Sequence, residues 1–105
     1  MTSVTFLFQN EVLQGFDIKG HSTYSENDEQ GKLVCSAVSS AAYMTANTIT
    51  EIIGAKADIK VNDGEMFLKV LSDFEDCLPI LSGFLLHMKQ LSKEYNKYVT
   101  INSEV

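Results

Sequence analysis

Residues 2–18 read Thr2-Ser3-Val4-Thr5-Phe6-Leu7-Phe8-Gln9-Asn10-Glu11-Val12-Leu13-Gln14-Gly15-Phe16-Asp17-Ile18. The stretch from Thr2 to Gln9 alternates, with Val4, Phe6 and Phe8 on one side and Thr5 and Leu7 on the other. That is the period of a β-strand. Asn10 and Glu11 make a short turn, and Val12 to Ile18 reads as a second strand paired with the first as a hairpin.

Outward from the hairpin the pattern changes twice. Lys19 to Lys32 is polar and glycine-bounded, a loop by composition. Loops of that length inside a small domain usually carry function. From Leu33 to about Ile53 the apolar spacing turns helical, through Val34, Val38, Ala41, Ala42, Thr45, Ile49, Ile52 and Ile53. Gly54 is placed to end that helix. Asp58 to Asn62 and Glu65 to Leu71 are short strands joined by Asp63-Gly64, a hairpin turn signal. Asp73 to Tyr95 forms a second helix, in which Pro79 is accommodated if Asp76 caps the helix and otherwise kinks it. Tyr98 to Asn102 is a closing strand. The order ββαββαβ predicts an α+β two-layer sandwich, a mostly antiparallel sheet with two helices on one face.

The 105 residues form one domain, 1–105, with 45% hydrophobic and 21% charged residues, ordinary for a soluble protein. No apolar stretch approaches the roughly 18 residues of a membrane span, so no membrane partner is expected. The first residues carry no basic segment or cleavage site of a secretory signal, which gives a cytoplasmic expectation. Two cysteines in such a chain are free thiols. A net charge of −6 without a Lys/Arg cluster argues against nucleic acid, since phosphate binding needs clustered cations. Lys89, Lys93 and Lys97 fall on one face of the second helix at the spacing of a solvated stripe.

The chemistry-bearing residues are His21, after Gly20 at the end of the second strand, and Cys35, after Leu33-Val34. Read with a helix beginning at Leu33, Cys35 lies in its first turn, where the macrodipole favours thiolate. If the polar loop folds back, His21 meets Cys35 at one edge of the sheet, giving a nucleophile with its base. The amides of Cys35 and Ser36 are then candidate oxyanion donors. Ser39, one turn on, is a candidate support, although serine at that spacing often bonds a backbone carbonyl. A packed, inert Cys35 thiol is the competing reading.

The remaining candidates are weaker. Cys77 reads as a buried structural thiol, and His87 borders the apolar face of the second helix. The spacings of His21, Cys35, Cys77 and His87 match no zinc motif, so no metal is expected. Tyr24 and Tyr43 flank the site in sequence, as walls of a specificity pocket or as core residues. Gly31 lacks the companion glycines of a phosphate-binding loop, and no cofactor is implied.

The segments Gly20-His21-Ser22 and Gly31-Lys32-Leu33-Val34-Cys35-Ser36-Ala37-Val38-Ser39 resemble the paired motif of the ribosomal-processing cysteine proteases (Prp). The likeness extends through chain length, element order and the ending Glu94-Tyr95-Asn96-Lys97-Tyr98-Val99. It implies a cytoplasmic, homodimeric cysteine endopeptidase with His21 and Cys35 as the catalytic dyad. Its implied substrate is a ribosomal large-subunit protein carrying a short N-terminal extension. Ser22, Tyr24, Gly31 and Lys32, from the end of the first motif to the start of the second, are the candidate substrate loop. The chain departs from the family pattern at Ser22 and Ser36, usually alanine, and at Lys32, where an acid is common. Two other functions fit the residues: a non-catalytic acidic dimer that binds a ribosomal or other basic protein, and a thiol hydrolase of small acyl substrates.

Overall fold

The computed structural model describes residues 1–105. Strand β1 (Thr2–Gln9) pairs antiparallel with β2 (Val12–Lys19), setting Val4 opposite Ile18 and Phe6 opposite Phe16. Asn10 and Glu11 both adopt positive φ, the backbone of a tight two-residue hairpin turn. Helix α1 (Glu29–Asn47) follows and runs on through a wider π-type segment, Thr48–Ile53, ended by Gly54 in the left-handed conformation. Strands β3 (Ala57–Asn62) and β4 (Glu65–Val70) form the second hairpin, α2 spans Phe74–Glu94, and β5 spans Val99–Glu104.

The five strands lie in the order β3-β4-β2-β1-β5. All neighbours are antiparallel except β1 and β5, which run parallel, so the sheet is mixed. The order ββαββαβ and the two-helix layer agree with the sequence. Val4 and Phe6 of β1, Phe16 and Ile18 of β2, and Met66, Leu68 and Val70 of β4 build the sheet side of the core. Val34, Val38 and Ala42 of α1 and Leu81, Phe84 and Met88 of α2 build the other. The Phe84 ring lies 4.6 Å from that of Phe16 and 5.7 Å from that of Phe6, in the tilted geometry aromatic pairs favour.

Both helix starts differ from the sequence reading. Helix α1 starts at Glu29, not Leu33, because the Asp28 carboxylate caps it by accepting from the Gly31 amide at 3.0 Å. Its first turn is polar because it faces solvent, apart from Gly31, which is buried against Asp28 and Thr23. A Cβ on Gly31 would stand 2.4 Å from an Asp28 carboxylate oxygen, so this glycine allows close packing rather than ending a loop. In α2, Asp73 occupies the cap position and Asp76 lies in the first turn, leaving Pro79 inside the helix. Pro79 has no N–H for the Glu75 carbonyl one turn back. No helix is long and apolar enough to cross a membrane.

Candidate functional site

The end of β2 places His21. Gly20 turns the chain out of the strand with φ of +92°, and its amide donates to the Gly64 carbonyl at 2.8 Å. The strand is thereby tied to the β3–β4 turn. His21 lies against that turn, and a Cβ on Gly64 would fall 2.8 Å from its Nε2. The Asp63 carboxylate stands 3.9 Å from the same nitrogen.

Cys35 approaches from the helix layer. It is half-buried in the second turn of α1, six residues beyond Glu29. The Ser22 amide donates to its sulfur at 3.0 Å. The Ser22 side chain points inward, fully buried, with its hydroxyl 2.7 Å from that of Thr2. His21 and Cys35 line one cavity of about 240 Å³, together with Thr2, Ser39, Tyr43 and Asp63. Glu65 adds a second carboxylate to its wall. A thiol and an imidazole sharing a cavity are the groups that nucleophilic acyl transfer uses.

The connection between the two residues is held away from the cavity. Asp28 accepts from the Tyr24 amide at 3.0 Å and from the Tyr98 hydroxyl at 3.2 Å, besides capping α1. The bonds from the Gly31 and Tyr24 amides hold the Asp28 carboxyl below its ordinary value. Desolvation, with Asp28 beside it, pushes the Tyr98 hydroxyl up. The Tyr24 ring packs 5.4 Å from that of Tyr98, and its hydroxyl donates to the Lys97 carbonyl.

Of the residues singled out in the sequence, the structure brings His21, Cys35, Ser39 and Tyr43 to one wall. It does not bring the Ser22 side chain, Tyr24, Gly31, Lys32 or Ser36 there; Lys32 and Ser36 are exposed outside the cavity. The first-turn position expected for Cys35 is corrected by the earlier helix start. The macrodipole acts mainly within the first turn, so the donor on the sulfur is instead the Ser22 amide. The amides of Cys35 and Ser36 lie inside the helix, where they bond to carbonyls four residues back. Sequence reading missed the β3–β4 turn as part of the site. Asp63-Gly64 signalled a hairpin, and nothing local showed that the turn would lie beside His21.

Cys77 is fully buried in α2, and burial, then Asp73 and Asp76, push its thiol up. His87 is exposed on α2, beside Ala37 and Met44 of α1. No three histidine, cysteine or carboxylate side chains converge as a metal-holding group.

The family model described as cysteine protease Prp matches residues 1–100. No protein of curated function matches the chain. Among solved structures, an essential ribosomal processing protease Prp from S. aureus, bearing a covalently linked product peptide, superposes with a TM-score of 0.88 at 20% identity. That alignment covers 99% of this chain and 100% of the other. The same S. aureus protease in complex with a substrate peptide gives 0.88 at 19% identity, with the same coverage. SMU.848 from Streptococcus mutans gives 0.83 at 21% identity, over 98% of this chain and 93% of that one. At these identities the structures establish a shared fold.

Proposed function

The chain belongs to the cysteine protease Prp family, and from that premise we propose that Cys35 and His21 form its catalytic dyad. The observation that carries this is their convergence on one cavity, with the Ser22 amide already donating to the Cys35 sulfur. Such a bond strengthens as negative charge builds on the acceptor.

In the proposed reaction the His21 imidazole takes the proton of the Cys35 thiol, and the sulfur attacks the scissile carbonyl carbon. Collapse of the tetrahedral adduct breaks the C–N bond, and the imidazolium gives its proton to the departing amine. Water, deprotonated by the same imidazole, then cleaves the thioester and restores the thiol. Ser39 supports the dyad from the cavity wall. Ser36, outside the cavity with its amide inside the helix, has no such role.

The substrate we propose is a ribosomal large-subunit protein, shortened at its N-terminus in the cytoplasm. The support is the ribosomal processing named for the S. aureus protein of like fold, together with the carboxylates of Asp63 and Glu65 at the cavity. Ribosomal proteins are basic, and acidic groups at the cavity favour their approach. The active form is a homodimer, which sedimentation at working concentration tests.

Intact-mass analysis of the extended ribosomal protein, incubated with this chain or with its Cys35→Ala variant, tests the activity. A discrete N-terminal loss with the wild type alone is expected. No loss with folded, reduced protein overturns the reading.

A further inference from the structure

We propose that Asp63 is a positioning residue for His21, holding the imidazole in the tautomer and orientation in which it can serve Cys35. The inference rests on the dyad reading above.

Three links fix the β3–β4 turn to the histidine. The Gly20 amide donates to the Gly64 carbonyl at 2.8 Å, immediately before His21. Lys19 and Glu65 are the last register partners of the β2–β4 ladder, one residue further into the sheet than that bond on each strand. The ring of His21 lies over Gly64, where even a methyl group would come within 2.8 Å of Nε2. Asp63 is therefore carried by a turn whose place relative to His21 is set by backbone contacts. Its Oδ1 stands 3.9 Å from Nε2, and His21 is its one ion-pair partner.

The chemical consequence concerns the two ring nitrogens. A carboxylate beside Nε2 favours the proton there, which leaves the Nδ1 lone pair free to act as base. Once the thiol proton moves, the imidazole is a cation, and the carboxylate attracts it more strongly than it attracts the neutral ring. Asp63 thus favours the charge-separated state of the dyad over its neutral state. With a peptide substrate of no net charge, where the carboxylate has no part in attracting substrate, loss of the charge lowers kcat and leaves KM unchanged. Asp63 is almost wholly exposed, so the effect is that of a surface pair, about threefold, and is screened by salt.

The test is a cycle of four proteins: wild type, Asp63→Asn, His21→Ala and the double variant. Alkylation of Cys35 by iodoacetamide is followed by peptide mass at low and high salt, and peptide cleavage is followed where it occurs. Expected are an about threefold slower alkylation in Asp63→Asn at low salt, no further slowing when His21 is already alanine, and partial recovery in Asp63→Glu. Wild-type rates in Asp63→Asn, with His21→Ala inactive, would overturn the proposal and leave the dyad standing. Equal slowing in both backgrounds would also overturn it, because Asp63 would then act otherwise than through His21. Full activity in His21→Ala would remove the dyad reading and this proposal together.

Discussion

The backbone amide of Ser22 donates to the sulfur of Cys35 over 3.0 Å, joining two residues thirteen apart in the chain. The donor belongs to the backbone, so it is independent of the side chain at position 22. The hydroxyl has separate work, bonding Thr2 in a fully buried contact. Ser22→Ala should therefore keep cleavage within about twofold while losing about 1 kcal/mol of stability, the value of a buried hydrogen bond whose partner is stranded. Adding Thr2→Val, which removes the stranded hydroxyl, should recover most of the loss. Urea unfolding and initial cleavage rates check both halves, and a loss of activity parallel to the loss of stability would contradict the division.

The two thiols differ in environment, and labelling should report it. Cys35 is half-buried on a cavity wall; Cys77 is fully buried, with burial and two aspartates pushing its thiol up. Iodoacetamide on the folded protein at neutral pH should mark Cys35 at least about 100-fold faster than Cys77, which reacts only through opening of the fold. In denaturant the two rates should converge. Comparable labelling of both in the native state would show that α2 opens readily.

Much of this arrangement could be read from the chain, for identifiable reasons. The Val4-Phe6 alternation, the Asp63-Gly64 turn and the apolar spacing of both helices are local signals, and each gave its element. The start of α1 was hidden because its first turn buries only Gly31, so polarity imitated a loop. His21 and Cys35 were legible by residue type and placement. The contribution of the β3–β4 turn was not, since it depends on β4 pairing with β2 across the length of α1. The parallel pairing of β5 with β1 is non-local in the same way.

Asp28 ties Tyr24, Gly31 and Tyr98 into one cluster, and its charge makes those bonds stronger. The depressed carboxyl stabilises the folded state fully above its ordinary value of 3.8. That contribution is lost as pH falls through the lower folded value. Asp28→Asn should melt about a few degrees lower than wild type at pH 7, with the gap closing as pH falls below about 4. Thermal melts of the pair at pH 7, 5, 4 and 3 measure this, and a gap that persists unchanged at the lowest pH would exclude the charge as its source.

Gly64 offers a way to move His21 without altering it. Its φ of +72° makes alanine strained there by about 1 kcal/mol, and the added Cβ would lie 2.8 Å from Nε2. The imidazole is an exposed side-chain end and will yield, tilting away from the turn. A displacement near 1 Å in a catalytic group can cost about 100-fold, so on the proposed dyad Gly64→Ala should lower kcat by about 10- to 100-fold, far beyond its effect on stability. Gly54 supplies the control. Its φ of +77° imposes comparable strain on alanine, yet nothing lies within 4 Å of the Cβ. Gly54→Ala should therefore match Gly64→Ala in melting temperature and cleave at nearly the wild-type rate. Equal activity in the two variants would mean that His21 does not depend on the β3–β4 turn for its position, or that the proposed dyad is wrong.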